Sequence, residues 1–253
     1  MLPARRQQYL DAIGIELFVR RTPAQAVQAP TFAAVEPASV PAAAASVPEA
    51  AVEEGQVAAQ WQRLLDEVRG CRLCPLHATR TQGVLGVGPK RSDWLVIGEA
   101  PGAEEDRRGE PFVGAAGQLL DAMLRAIGLD RRTNVYIANV LKSRPPNNRD
   151  PRPDEVEACL PYLVRQIRLL QPKIMLAVGR IAAQNLLGTD APLSRLRGRV
   201  HHFGEQQTPL VVTYHPAYLL RTPADKRKAW EDLKFARSVY QQLTQGATDG
   251  NRS

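Results

Sequence analysis

Short apolar runs alternate with amphipathic helical patterns along most of this 253-residue chain. The apolar runs predict strands, at residues 94–99, 135–142, 174–178 and 210–214. The periodic stretches predict helices, at residues 61–70, 118–127, 154–170, 180–187 and 225–242. Strands that alternate with helices form a mainly parallel sheet with helices on both faces. The pattern therefore predicts an α/β fold of three αβα layers around a central, mainly parallel four-stranded sheet.

The chain is organised around its first strand and the loop that follows. The strand at 94–99 leads into a Gly- and Pro-containing turn at 98–102, a polar loop at 103–110 and a helix that opens at 114–117. In a doubly wound sheet, the ligand crevice lies at the carboxyl ends of the parallel strands. We therefore expect the functional residues at that edge of the sheet.

Charge and hydropathy restrict the class of partner. The formal net charge is +7 and the isoelectric point about 9.6, which suits a polyanion such as nucleic acid, although solubility alone could account for it. No apolar run is long enough to span a membrane, and residues 1–8 lack the apolar core of a signal peptide. We expect a cytoplasmic protein.

The first part of the chain has a different composition from the rest. Residues 5–21 form a short apolar segment between paired arginines, and residues 22–56 are an Ala/Pro-rich linker that we expect to be disordered. The folded domain is predicted at 57–243, with a disordered tail at 244–253. The segment at 1–21, which contains this apolar stretch, packs on the domain or binds a partner. It resembles the N-terminal peptide of the psi subunit of bacterial DNA polymerase III, which implies a replisome partner.

Polar side chains follow each predicted strand at its carboxyl end. They are Glu99, Asn139, Lys142, Arg144, Arg149, Arg180, His215 and Arg221. Right-handed crossovers bring all these ends to one edge, so the side chains should meet in a single crevice. One such residue alone would more often be a cap or a satisfied polar group.

The residue types at this edge suit cleavage of a base from a sugar in DNA. The Asn139 amide offers a donor and an acceptor to a base edge, and Phe112 is either a stacking surface or a core residue. His215 can donate to an oxygen that gains negative charge. Glu99 can orient water or offset a cationic sugar. The cations Lys142, Arg144, Arg149 and Arg221 suit phosphates.

Four ordered motifs then identify the chain as resembling the family 4 uracil-DNA glycosylases. They lie at residues 98–102, 109–114, 139–142 and 215–221, and the similarity extends from about 57 to 242. The resemblance implies a monofunctional, monomeric hydrolase of base excision repair, acting on deoxyuridine in single- or double-stranded DNA. It implies that Gly98, Glu99 and Ala100 shape the water and base pocket. It also implies that Phe112 stacks on uracil, Asn139 reads its edge and His215 contacts its O2.

The cysteines depart from that family at one position. Cys71 and Cys74 form a CxxC, which in a cytosolic chain indicates metal or redox use. The resemblance implies that these two and Cys159 hold a 4Fe–4S cluster, but Ser143 stands at the fourth ligand position. Thiolates are the normal ligands of such clusters. A cluster completed by Ser143 or an outside ligand, a zinc ion and three free thiols all stay open.

Two rival functions and a base-flipping device complete the expectations. A non-catalytic DNA-binding or replication-associated module is the main alternative. A nucleotide-binding oxidoreductase is disfavoured because the turn at 98–102 lacks GxGxxG and carries Glu99. A glycosylase must extrude its target nucleotide, and Leu219, on the loop of His215, is either the apolar wedge that fills the gap or a core residue.

Overall fold

The computed structural model describes residues 49–249 of the chain. The chain divides into two units, 1–46 and 47–253, and all the described residues belong to the second. The partner-binding segment predicted at 5–21 and most of the linker predicted at 22–56 lie outside the described residues. Among the helices that the structure describes, none is both long and apolar enough to cross a membrane.

A five-stranded sheet forms the centre of the described unit. Its strands are β1 (Trp94–Gly98), β2 (Val135–Asn139), β3 (Ile174–Val178), β4 (His201–Phe203) and β5 (Thr208–Thr213), in the spatial order β2-β1-β3-β5-β4. The pairs β1–β2, β1–β3 and β3–β5 are parallel, and β4 is antiparallel to β5. The predicted α/β class is confirmed, but the predicted strand count of four is wrong. The missed strand β4 has only three residues and no apolar run.

Helices cover both faces of the sheet. They are α1 (Glu49–Gly70), α2 (Ala103–Arg108), α3 (Ala115–Arg125), α4 (Pro153–Leu170), α5 (Arg180–Leu187), α6 (Leu193–Leu196), α7 (Pro216–Arg221) and α8 (Lys226–Asp249). Apolar side chains of α1 and α4 belong to one buried cluster, and those of α3 and α8 to a second. The four long helices thus bury the apolar faces that their periodicity predicts.

Three expectations about element boundaries are wrong. The polar loop predicted at 103–110 is helical over α2, where acidic residues in the first turn and arginines in the last complement the helix dipole. The helix α1 begins at Glu49, inside the predicted linker, because Ala and Glu there are strong helix formers despite their linker-like composition. The helix α8 extends to Asp249, inside the predicted tail, because the Gln and Leu residues at 241–243 are good helix formers.

The strand register places the first two functional residues side by side. Gly98 at the end of β1 is opposite Asn139 at the end of β2. All five residues of each of these strands are buried, because helices cover both faces of a parallel sheet. The polar groups that follow the strands are therefore the first to reach solvent, at the carboxyl edge.

Candidate active site

A cavity of about 430 Å3 opens at the carboxyl edge of the sheet. Seven of the residues predicted for the site line it, namely Glu99, Ala100, Phe112, Asn139, Arg149, His215 and Arg221. They come from the ends of β1, β2 and β5, from loops that follow β1 and β2, and from helix α7. The convergence expected from the topology is therefore present in the fold.

Asn139 contributes an unpaired acceptor to this cavity. The residue is 2% exposed, and its Oδ1 has no hydrogen-bond partner among the residues that the structure describes. A buried polar atom without a partner costs free energy, so such an atom in a cavity indicates a ligand that donates to it. Gly98 makes this placement achievable, because a Cβ there would lie 2.4 Å from Asn139 Oδ1.

Phe112 forms an aromatic wall of the cavity. Its ring centroid lies 5.6 Å from that of His215, with the ring planes 32° apart. The residue is 6% exposed and also contacts the core, so both readings of the sequence hold in part. Its backbone has a φ of 55°, which is rare for a bulky residue and is often associated with functional sites.

His215 presents a neutral ring to the cavity. It caps α7, and its Nδ1 accepts a hydrogen bond from the backbone N–H of Ala217 at 3.2 Å. Burial, reinforced by the nearby charge of Arg221, lowers the pKa of His215 to about 4. Since Nδ1 accepts, the neutral ring carries its proton on Nε2. His215 is thus a hydrogen-bond donor that stays uncharged at neutral pH.

Glu99 is poised to titrate near neutrality. Burial, with a contribution from the charge of Asp150, raises the pKa of Glu99 to about 7, while the nearby Arg180 opposes this increase. Asp150 and Arg180 form an exposed ion pair, with Nη2 and Oδ2 3.0 Å apart. A carboxyl group with a pKa near the working pH suits proton transfer from a bound water.

Comparison with known proteins assigns this fold and cavity to a family. Residues 85–234 match the model of the uracil DNA glycosylase superfamily. The chain belongs to this superfamily. It is 46% identical over 177 residues to the Type-4 uracil-DNA glycosylase of Archaeoglobus fulgidus. The aligned residues cover 68% of this chain and 88% of that protein.

Two further superfamily relatives have similar coverage. The chain is 46% identical over 178 residues to the Type-4 uracil-DNA glycosylase of Pyrobaculum aerophilum, covering 68% of this chain and 90% of that protein. It is 41% identical over 177 residues to the Type-4 uracil-DNA glycosylase of Thermotoga maritima, covering 68% of this chain and 91% of that protein. The predicted family is confirmed.

Lys142 does not have the phosphate-binding position that we predicted within this superfamily fold. It is 1% exposed, and its Nζ donates to the carbonyl of Asn139 at 2.6 Å and to Gln166 Oε1 at 2.5 Å. Burial lowers the pKa of Lys142 to about 7. The prediction was wrong because a lysine that follows a buried strand is normally expected to be exposed. The sequence does not show that Gln166, on another element, provides a buried polar partner. Lys142 instead fixes the backbone of the residue that lines the cavity.

The three predicted arginines differ in how freely they can meet a phosphate. Arg221 is exposed, lines the cavity and forms no ion pair with a described residue. Arg149 lines the cavity but is held by Glu155, with Nη1 2.9 Å from Oε2. Arg144 lies outside the cavity lining, and its Nε donates to Asn148 Oδ1 at 2.8 Å. Arg221 is therefore the strongest phosphate candidate of the three.

Leu219 is buried and does not have the exposure that a DNA wedge requires. It is 1% exposed, whereas Leu220, the next residue, is 45% exposed. Both residues lie on α7, and adjacent helical positions point about 100° apart. The alternative of a core residue is therefore correct for Leu219, and the exposed apolar side chain on this helix is that of Leu220.

The predicted cluster site has three thiols, and the serine at its fourth position is already hydrogen-bonded. Cys71 and Cys74 are partly buried and follow α1, while Cys159 is buried on α4 and accepts a hydrogen bond from the Lys142 backbone N–H at 3.1 Å. Ser143 Oγ accepts from Arg80 Nη1 at 2.7 Å. Within residues 49–249, no three His, Cys, Asp or Glu side chains are grouped so that they could hold a metal ion.

Sequence reasoning missed three charged residues around the cavity. Asp150 and Glu105 line it, and Arg131 lies behind it, 15% exposed. None of them directly follows a strand, which was the signal used to select candidates. The first turn of an unrecognised helix contains Glu105, so a correct prediction of α2 would have drawn attention to it.

Proposed function

We propose that this chain is a uracil-DNA glycosylase, which hydrolyses the N-glycosidic bond of deoxyuridine in DNA and leaves an abasic site for base excision repair. The observation that carries the proposal is the unpaired Oδ1 of Asn139 in a cavity that also contains Phe112 and a neutral His215. Family membership and relatives named Type-4 uracil-DNA glycosylases support the same reaction.

The cavity suits a planar base with a donor between two acceptors, as on the edge of uracil. The Asn139 amide can accept from the base N3–H at Oδ1 and donate to the adjacent carbonyl from Nδ2. Phe112 provides a flat apolar surface on which a base can stack. The proposed substrate is a flipped uracil, whose N3–H and adjacent carbonyl match the acceptor and the donor of this amide.

His215 supports departure of the base. As the glycosidic bond breaks, negative charge develops on the uracil, including its O2. The Nε2–H of neutral His215 can donate to this oxygen, and the hydrogen bond strengthens as the charge grows. A neutral donor avoids the desolvation cost that a cation would have in this partly buried position.

Glu99 supports attack on the sugar. Its ionised carboxylate can orient a water, remove its proton and stabilise the positive charge that develops on the sugar. Since the pKa is about 7, a large fraction of Glu99 is in the required form at neutral pH. Exposed Arg221, with Arg149 at the cavity rim, can bind the phosphates that flank the flipped nucleotide.

The 4Fe–4S cluster implied by the family resemblance does not fit the donors at its fourth position. The cysteines supply three thiols of the soft kind that iron–sulfur clusters take. The fourth residue, Ser143, has a hydroxyl that already accepts a hydrogen bond from a cationic guanidinium. No step of the proposed reaction involves a cluster, because Asn139, His215 and Glu99 account for recognition, leaving-group stabilisation and water activation.

Excision assays with the full-length chain test the proposal against a non-catalytic DNA-binding module. The substrates are single-stranded and duplex oligonucleotides with one uracil, and matched thymine oligonucleotides are the controls. We expect free uracil and an intact abasic strand that breaks only after alkali treatment. Binding without release of uracil would support the non-catalytic module instead. A borohydride-trapped cross-link would show a Schiff-base mechanism and contradict simple hydrolysis.

A further inference from the structure

The backbone of Phe112 is held in an unusual conformation at the cavity. Its φ of 55° lies in the left-handed region, which bulky residues rarely adopt without support from their surroundings. The conformation brings the tip of the ring over the end of β1, since a Cβ added at Gly98 would lie 2.5 Å from Phe112 Cζ. The position of the ring therefore depends on whatever keeps the backbone in this state.

Arg131 binds the carbonyl groups on one side of this turn. Its Nη2 donates to the carbonyl oxygen of Phe112 at 2.8 Å, and its Nη1 donates to that of Pro111 at 3.1 Å. Its Nε donates to Asp121 Oδ1 at 2.7 Å, which fixes the plane of the guanidinium. One rigid fork thus contacts two successive carbonyls, a geometry that the single ammonium of lysine cannot reproduce.

Glu105 binds the N–H groups on the other side of the turn. Its Oε1 accepts from the backbone N–H of Val113 at 2.9 Å and from that of Gly114 at 3.1 Å. A cation and an anion from different parts of the chain therefore form hydrogen bonds with one backbone group of each residue from Pro111 to Gly114.

Gly117 leaves the space that this arrangement requires. A Cβ at Gly117 would lie 1.8 Å from the Phe112 carbonyl oxygen, which no side chain could tolerate without a shift of that backbone. The carbonyl that Arg131 binds is therefore also the atom packed against α3.

We propose that Arg131 and Glu105 are positioning residues, which hold Phe112 in the left-handed conformation that presents its ring to the flipped base. This inference rests on the proposed excision of uracil. Neither residue follows a strand end, and Arg131 acts from behind the cavity through the backbone of Phe112. Their role is to keep the stacking surface ordered before the base arrives.

Arg131→Lys is the main test, because it keeps the positive charge and removes the fork. We expect kcat/KM for uracil excision to fall about tenfold or more, and the inhibition constant of free uracil to rise by a similar factor. Affinity for uracil-free DNA should stay at the wild-type value. Arg132→Ala is the control, because Arg132 is the exposed neighbour and its side chain forms no hydrogen bond or ion pair with residues 111–114. Unchanged inhibition by free uracil in Arg131→Lys would overturn the proposal.

A double-mutant cycle distinguishes positioning from a general loss of structure. If Arg131 acts through the ring, adding Arg131→Lys to Phe112→Ala should change kcat/KM by less than about twofold, because there is no ring left to position. Additive losses would overturn the proposal, even if the melting temperature is unchanged. Glu105→Ala is tested in the same cycle, and Glu105→Gln, which keeps an acceptor oxygen, should restore most of the activity.

The wild-type reaction separates failure of this inference from failure of the proposed function. If the wild-type chain does not excise uracil, the proposed function is wrong. If the wild-type chain excises uracil and the Arg131 and Glu105 variants match it, only the positioning role is wrong.

Discussion

Protonation of Glu99 should control the rate of uracil excision on the acid side of neutrality. The proposed role requires the carboxylate, and burial with the charge of Asp150 places its pKa at about 7. For one group with this pKa, the ionised fraction is about 0.09 at pH 6 and about 0.91 at pH 8. We therefore expect kcat/KM to rise roughly tenfold between these values. His215, with a pKa of about 4, stays neutral over the whole interval.

The assay is single-turnover excision from a uracil oligonucleotide between pH 5.5 and 8.5 at constant ionic strength. Glu99→Gln should be slow and should lose the pH dependence, whereas Glu104→Gln, which changes an exposed carboxylate on α2, should retain it. Asp150→Asn should move the midpoint to lower pH, because Asp150 contributes to the raised pKa. A flat wild-type profile, or a Glu99→Gln variant with the same acid limb, would refute the assignment of Glu99.

Five further outcomes follow from the described contacts. Asn139→Ala should lower kcat/KM roughly five- to 150-fold, since a buried hydrogen-bonding group contributes about 1–3 kcal/mol, and an unchanged rate would remove it from the base site. Leu220→Ala should impair excision from duplex more than from single-stranded DNA, and equal losses would exclude a wedge. In contrast, Leu219→Ala should lower the free energy of unfolding by about 2–5 kcal/mol, measured by chemical denaturation. Ser143→Cys should raise the iron content of anaerobically purified protein, and unchanged iron would show that Ser143 is not at the ligand position. Arg221→Ala should reduce the salt dependence of duplex binding by about 0.9 in log–log slope, and an unchanged slope would exclude a phosphate contact.

The sequence predicts the sheet and the cavity edge well because both depend on local patterns. Short, continuously apolar runs such as 94–97 favour inner strands, in which every side chain is buried. The parallel topology then brings Glu99, Asn139 and His215 together at one edge. The strand β4 and the helix α2 were not predicted, because elements of three and six residues are too short to give a periodic signal.

Exposure of single side chains could not be predicted in the same way. Lys142 was predicted to bind a phosphate and Leu219 was a candidate wedge, yet each is 1% exposed. Their burial depends on partners distant in sequence, such as Gln166, which lies 24 residues beyond Lys142. The role inferred for Arg131 likewise depends on a turn 19 residues earlier. Contacts of this range follow from the packed fold and have no local sequence signal.

The buried amino group of Lys142 has a consequence for how tightly the base can be held. It donates to the Asn139 carbonyl and to Gln166 Oε1. The Nε2 of Gln166 in turn donates to the carbonyl of Leu85 at 3.0 Å and to the hydroxyl of Tyr136 at 3.2 Å. The backbone of Asn139 is thus anchored, and its side chain is packed at 2% exposure, before any nucleotide enters. Freezing a mobile side chain on binding would cost about 0.5–1.5 kcal/mol, and an anchored one avoids most of this loss. Crystal structures with and without uracil should therefore superpose at Asn139, which leaves the binding energy available for drawing the nucleotide out of the helix.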